Sequence, residues 1–119
     1  MTIQNRNDQL LVNLLSASVM RHNTLTNNLV NQNTPNYQRE TVRFEELLAA
    51  ELHDPDSDPL SVVPELQVDD LTPAGADGNN VNPELEINGL LQNRLQYETY
   101  STILAGRFEL LRTAIAGGR

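Results

Sequence analysis

Cysteine and lysine are both absent from this chain of 119 residues, and aromatic residues make up only 4% of it. The lack of cysteine excludes disulfides, thiolate zinc sites and a cysteine nucleophile. Since every basic residue is an arginine and the net charge is −8, there is no basic face to neutralise nucleic-acid phosphates. A chain of this length forms one domain at most, with a modest core of Leu, Ile, Val and Ala.

Long apolar runs are lacking as well. No segment approaches the roughly 20 apolar residues of a membrane span. The first six residues contain no apolar region typical of a cleaved secretory signal. Taken alone, these features predict a cytoplasmic protein.

Residues 11 to 37 begin with a helical pattern that is almost free of charge, with Arg21 as the only charged residue between Asp8 and Arg39. A helix that faces water normally carries Lys, Glu and Arg, so this one is predicted to lie among other helices. One stripe, at spacings of three and four, consists of Leu11, Leu15, Ser18, His22, Leu25 and Leu29. On the side away from it lies an asparagine ridge, Asn23, Asn27 and Asn31, predicted to be buried between subunits and to set their register.

The ends of this helix carry local signals. Residues 1 to 7 are expected to be frayed, with the N-cap at Asn7 or Asp8. At the other end Pro35 pushes the preceding residue out of the α region, so the helix is predicted to end near residue 32 or 33.

A turn is predicted directly after the helix. Pro35-Asn36 suits the central positions of a type II turn, where asparagine tolerates the required positive φ. The whole turn segment comprises Asn33, Thr34, Pro35, Asn36 and Tyr37.

The middle of the chain is acidic and broken by prolines, with neither Lys nor Arg between Glu45 and Glu86. Such a composition favours a weakly ordered connection. A short amphipathic helical run is predicted first, from Val42, Phe44, Leu47, Leu48 and Leu52. It is interpreted as a small packing element; the alternative is a loop that touches a neighbouring subunit. A short strand is indicated further on, at a sheet edge because it contains Pro64, by Val62, Leu66 and Val68.

A second long helix is predicted from about Pro83 to Ala116. Asn82 serves as N-cap, Glu84 and Glu86 face the positive end of the helix dipole, and Gly117-Gly118 ends it. Its main apolar stripe consists of Leu90, Tyr97, Leu104, Phe108, Leu111 and Ile115.

Together these patterns predict an all-α fold in which the N- and C-terminal helices form an antiparallel, coiled-coil-like hairpin. The short middle segment, irregular or β-containing, is expected to project at one end. The predicted divisions are residues 1–37, 38–82 and 83–119. The first helix carries a second apolar stripe, Val12, Val19 and Val30, and the apolar arc of the last helix is widened by Tyr100, Ile103 and Leu110. Two helices alone cannot bury all of these residues, so further copies of the chain or its relatives are expected to cover the rest.

Residues that could carry chemistry are few. His22 lies on the leucine stripe and is interpreted as a packing histidine, and His53 lies in a solvated acidic loop. The Asp77–Asn80 turn lacks the glutamate that a calcium loop requires. No pair of carboxylates is held in a predicted cleft. We therefore expect no enzyme activity, no catalytic residue, no metal, no cofactor and no small-molecule substrate.

Four motifs resemble a known family. Residues 27 to 37, NNLVNQNTPNY, are similar to the N-N-I-A-N-x-N/D-T-P-G-Y signature of bacterial flagellar rod and hook proteins, with Asn36 in place of the usual glycine. Arg43-Phe44-Glu45-Glu46, the turn DGNNV at residues 77 to 81, and FELLRTAI at 108 to 115 with Gly117 resemble its proximal-rod branch. The four occur in the family's order, apart from an unmatched stretch at residues 53 to 76.

The resemblance implies a non-enzymatic structural subunit of the basal-body rod, polymerising through its terminal helices into the torque-transmitting drive shaft. Its partners would be copies of itself, other rod proteins, membrane-ring or adaptor proteins and the export apparatus. It would lie in the periplasmic rod, exported through the flagellar type III channel without a cleaved signal. The alternative is a helical binding module such as an export chaperone or adaptor.

Overall fold

A computed structural model describes residues 3 to 117 of the chain, and the side chains of residues 5 to 117. Two long helices, α1 (Ile3–Val30) and α3 (Pro83–Gly117), flank a middle segment with a short helix and two short strands. The middle contains β1 (Glu40–Arg43), α2 (Glu45–Leu52), a 3-10 helix (Pro59–Ser61) and β2 (Glu65–Val68). The molecule is elongated, 68 × 31 × 14 Å. The predicted helical fold with a strand-containing middle is confirmed.

Helices α1 and α3 run antiparallel. The amide of Asn93 in α3 donates to the Ser18 carbonyl of α1, 2.8 Å away, and further along α3 Arg107 pairs with Asp8. The partner positions move toward the N-terminus of α1 as α3 advances, which is the predicted hairpin.

The ends of α1 differ from the prediction. The helix is already formed at Ile3, so the described part of the first seven residues is helical and not frayed, and no cap at Asn7 or Asp8 is needed. Arg6 pairs with Asp58 at 3.0 Å, a contact between distant parts of the chain that local N-cap signals do not contain. The helix ends at Val30, about two residues early. Gly118, part of the signal for the end of α3, lies outside the described residues, and α3 reaches Gly117.

The turn after α1 has the predicted form. Asn36 adopts a positive φ of 62°, and the N–H of Tyr37 donates to the Thr34 carbonyl at 3.3 Å. The N–H of Asn36 also donates to the Asp77 carbonyl, 2.9 Å away, and so docks this turn on the turn before α3.

The predicted helical run from Val42 is wrong in its first half. Val42 lies in β1 and is paired with Leu66 of β2 in an antiparallel two-stranded sheet. That pairing holds Val42 in an extended conformation, so α2 begins only at Glu45. Of the predicted edge-strand residues, Leu66 and Val68 lie in β2, whereas Val62 and Pro64 precede it because the strand begins only at Glu65.

The middle segment was expected to project from one end of the hairpin. Instead it folds back along α1. Arg21, the single charge on that stretch of α1, holds Glu45 at 2.7 Å and the Val42 carbonyl at 3.1 Å. The segment then continues to Asp58, opposite Arg6. The composition predicted a solvated acidic loop, but Arg21 and Arg6 bind two of its carboxylates and so hold the segment against α1.

Phe44 is the centre of the small core. Its side chain is fully buried and forms a cluster with Ala17 and Leu48, against which other apolar residues pack, namely Leu10, Leu14 and Val62. The interpretation of this run as a packing element is confirmed.

We expect Phe44→Ala to lower the free energy of unfolding by about 3–5 kcal/mol, because it opens a cavity where the side chain is fully buried. Urea unfolding followed by circular dichroism measures the loss. Leu71→Ala is the control, since Leu71 is exposed. A loss below about 1 kcal/mol for Phe44→Ala would contradict a core at this position.

Candidate assembly surfaces

A buried group of polar side chains joins the ends of the two long helices. It draws one residue from each of five segments, and we call it the polar junction: Asn28 of α1, Arg39 before β1, Asp69 after β2, Asn80 before α3 and Glu86 of α3. These positions meet because the turn at residues 34 to 37 docks on the turn at residues 77 to 80.

Asn28 uses its full hydrogen-bonding capacity. Its amide donates to the Glu40 carbonyl at 2.8 Å and to Glu86 Oε2 at 3.2 Å. Its Oδ1 accepts the Tyr37 hydroxyl at 3.1 Å and the Glu40 N–H at 2.9 Å. Asn28 is 0% exposed, so each of these bonds satisfies a group that would otherwise be costly to bury.

Arg39 neutralises the buried carboxylate. Its Nε donates to Glu86 Oε1 at 2.6 Å and its Nη1 to Asp69 Oδ2 at 2.7 Å. The hydrogen bond that Arg39 donates to Glu86 raises the pKa of Arg39. Partial burial of the guanidinium lowers this pKa, but by less. Glu86 is fully buried, and both of its carboxylate oxygens are hydrogen-bonded, Oε1 by Arg39 and Oε2 by Asn28.

Asp69 is fixed from its own side of the junction. Its carboxylate accepts the hydroxyl and N–H of Thr72 and the N–H of Leu71, at 2.6, 3.0 and 2.9 Å. The hydrogen bond from the Thr72 hydroxyl has the largest effect and that from Arg39 the next largest; together they hold the pKa of Asp69 far below its usual range.

The two asparagines of the DGNNV turn act as clamps. The Asn79 amide donates to the carbonyls of Asn31 and Thr34, both at 2.8 Å, and so attaches the turn before α3 to the segment just after the end of α1. Asn80 Oδ1 accepts the N–H of Arg39 at 2.6 Å. The motif was predicted only to form a turn; its side chains also connect the two helix ends.

The predicted start of α3 is confirmed, with Glu84 and Glu86 both in its first turn; what the sequence did not reveal is that Glu86 also bonds Arg39. Asn82 Oδ1 accepts the Glu84 N–H at 3.1 Å, as an N-cap does, and Pro83 is the first helical residue. The side chain of Glu86 turns into the junction toward Arg39. One signal for the junction was available in α1: Asn28 lies seven residues after Arg21, on the face that meets the middle segment.

The predicted leucine stripe of α1 is only partly the buried face. Leu25 and Ser18 are buried, Leu11, Leu15 and Leu29 are half-buried, and His22 is exposed. The buried face is rotated toward Ala17, Thr24 and Asn28, because the middle segment covers that side.

The asparagine ridge lies at the surface of the single chain. Asn23 and Asn27 are exposed and Asn31 is half-buried. Asn27 donates to the Tyr37 hydroxyl at 3.0 Å, and Asn31 donates back to the Asn27 carbonyl at 2.8 Å. Burial of the ridge between subunits stays a prediction. The same holds for the turn residues, of which Tyr37 is half-buried and the other four, Asn33, Thr34, Pro35 and Asn36, are exposed.

The predicted stripe of α3 is largely uncovered. Leu90 and Leu104 are half-buried, whereas Tyr97, Phe108, Leu111 and Ile115 are exposed. Beside this stripe an apolar groove of about 450 Å³ runs between α1 and α3, lined mainly by Val19, His22, Ile87, Leu90, Leu91 and Tyr97. A contiguous apolar face of this kind marks an interaction surface.

Within residues 3 to 117, no helix is long and apolar enough to cross a membrane, and His, Asp and Glu side chains form no group suited to a metal ion. The polar junction is fully engaged in holding the fold together. The apolar surface of α3 and the groove are therefore the features that can bind something else.

Comparison with known proteins points to one kind of protein. The chain is 33% identical to the flagellar basal body rod protein FlgB of Bacillus subtilis, over 99% of the chain and 95% of that protein. It is 30% identical to FlgB of Aquifex aeolicus over 82% of each, and 29% identical to FlgB of Borrelia hermsii over 85% of the chain and 89% of that protein. No family model matches the chain.

We expect Asn28→Asp to destabilise the monomer by about 3–5 kcal/mol, because it places a second carboxylate beside buried Glu86 and removes two donated hydrogen bonds. Asn27→Asp, one residue away but exposed, should cost less than about 1 kcal/mol in the monomer. Unfolding in urea compares the two. If the ridge is buried between subunits, Asn27→Asp should prevent assembly although the monomer still folds; unchanged assembly would place the ridge in water.

The polar junction also predicts a pH dependence. Because the pKa of Asp69 is depressed below its usual 3.8, its contribution to stability is complete above that pH and is lost as the pH falls below it. Asp69→Asn should therefore be less stable than the original chain at pH 7, by about 1–3 kcal/mol. The difference should shrink below about pH 4. Exposed Asp70→Asn is the control, and parallel profiles for all three proteins would refute the assignment.

Proposed function

Because this chain belongs to the FlgB family of flagellar basal body rod proteins, we propose that it polymerises through its two terminal helices into the proximal part of the rod. In this role it is a structural subunit and catalyses no reaction.

One observation carries this proposal: much of the apolar face of α3 has no cover within the described chain. Phe108 is 53% exposed and Ile115 63%, and both lie on the stripe that faces α1 further back along the helix. Burying such a face in a partner is favourable at roughly 25 cal/mol per Å² of apolar surface removed from water. A subunit that assembles through this face gains the core that it lacks alone.

The proposed mechanical role follows from the same packing. Helices that interlock through many small contacts resist shear collectively, so torque is transmitted without any single strong bond. The polar junction serves this role by locking the helix ends to one another. A buried, fully hydrogen-bonded network permits few alternative arrangements, which keeps the hairpin rigid under load.

The proposed partners are copies of this chain, other rod proteins, and the membrane-ring or adaptor proteins at the base of the rod. The proposed location is the periplasmic part of the basal body, reached through the flagellar export apparatus without a cleaved signal. The resemblance of residues 27 to 37 to the rod-protein signature supports this route. The alternative is a helical binding module such as an export chaperone or adaptor. It is less well supported, because the similar proteins found for this chain are rod proteins.

The sharpest test separates export from assembly with Leu104→Ala/Phe108→Ala. Leu104 is half-buried and Phe108 exposed, so the monomer should retain its helical circular dichroism, and the loss falls on contacts between subunits. The variant should leave the cytoplasm in normal amount but build no rods, as shown by immunoblots and electron microscopy of isolated basal bodies.

The control for this test is Ile103→Ala/Leu110→Ala, which removes exposed apolar side chains from a side of α3 roughly 120° away from that stripe. Normal rods with the Leu104/Phe108 variant would show that this face is not buried in the assembly. Accumulation in the cytoplasm alone would show that α3 also carries part of the export address.

A further inference from the structure

The groove between α1 and α3 contains one unsatisfied polar atom. Asn93 is 4% exposed and lines the groove; its amide donates to Ser18, but its Oδ1 has no hydrogen-bond partner among the described residues. A buried acceptor left unpaired costs about 1–3 kcal/mol. The walls are mainly apolar, and the donors they carry, on Ser18, His22, Arg94 and Tyr97, do not bond this atom. A segment that fills the groove should therefore present an apolar face together with a hydrogen-bond donor.

The end of α3 matches this description. Arg107 pairs with Asp8 of α1, and from there α3 continues for ten residues to Gly117, whereas α1 has five described residues beyond Asp8. We call residues 108 to 117 the overhang. Its apolar stripe, Phe108, Leu111 and Ile115, is exposed and continues the face that α1 covers further back.

The overhang and the groove also match in length and in polar groups. Residues 87 to 97, which form the α3 wall of the groove, span about 15 Å, as does the overhang. Next to the apolar stripe of the overhang, Arg112 is 81% exposed; it pairs with Glu109 at 3.4 Å through one Nη, and its other N–H groups can donate elsewhere. Glu109 and Arg94 at the groove carry opposite charges, and the pairs they form within the chain, with Arg112 and Glu98, lie at the surface.

We propose that the overhang of one copy occupies the groove of a second copy, with Arg112 donating to Asn93 Oδ1. This inference rests on the proposed function, since it specifies the contact by which the chain polymerises.

The geometry makes such a contact directional. Overhang and groove lie roughly 30 Å apart on the same straight helix, so one copy cannot fill its own groove. Each copy offers both halves of the contact at different places. A contact of this head-to-tail type does not close on itself in a pair and adds copies in an open series.

Disulfide crosslinking tests the contact directly, because the chain has no cysteine of its own. Leu91→Cys at the groove and Ile115→Cys on the overhang are made singly and together in the parent bacterium. Basal bodies are then isolated, oxidised and run on non-reducing gels. The double variant should give a ladder at multiples of 13.3 kDa, and each single variant should stay monomeric.

The matched control is Leu85→Cys/Leu110→Cys. Leu85 is as exposed as Leu91, 59% against 58%, and Leu110 is more exposed than Ile115, but both control positions lie off the proposed contact. This pair should give no ladder.

The remaining outcomes separate the two proposals. If the Leu91/Ile115 variant is present in basal bodies but gives no ladder, the overhang contact is wrong and the rod assignment stands. Dimers from either single variant, or links to a protein of another mass, also overturn the contact because they require a different occupant. If the unmodified chain is absent from isolated basal bodies, the proposed function itself fails.

Discussion

The buried contact of Arg39 with Glu86, completed by Asn28, is the interaction on which the rest of the structure depends. A carboxylate with no exposure is tolerated only when its charge is balanced and its oxygens are hydrogen-bonded. Meeting both conditions requires α1, the segment before β1 and α3 to converge at one point. The position of every element that follows is set from there: the turn after α1, the sheet, and the start of the long return helix.

Away from the polar junction, the chain is held together by few apolar contacts. The core around Phe44 is small, and it covers only the side of α1 on which the middle segment lies. The other side and most of α3 keep their apolar residues in water. Specificity thus comes from a polar network at one end of the hairpin, while much of the apolar free energy is left for association.

Much of the secondary structure was predictable, because its signals are local. Pro35 and Asn36 determine a turn through their own backbone preferences, and Asn82-Pro83 determines the start of a helix in the same way. The all-helical hairpin follows from apolar spacing over more than 20 residues. The predictions that failed involve contacts between distant residues. The early start of α1 carries Arg6, which pairs with Asp58, and Val42 is extended because it pairs with Leu66 in the sheet. The middle segment lies along α1 because Arg21 binds Glu45.

The sequence by itself determined the two long helices, the turn that ends the first, and the family to which the chain belongs. Each depends on residues close together or on an ordered set of motifs. Only the tertiary structure decided which asparagine is buried. Asn27 and Asn28 are neighbours of one type, and Asn28 alone lies within reach of Glu86 once α3 has folded back. Local preferences cannot distinguish such neighbours, because the cost of burying an amide depends on its hydrogen-bond partners. For Asn28 one of these partners, Glu86, lies nearly sixty residues away in the chain.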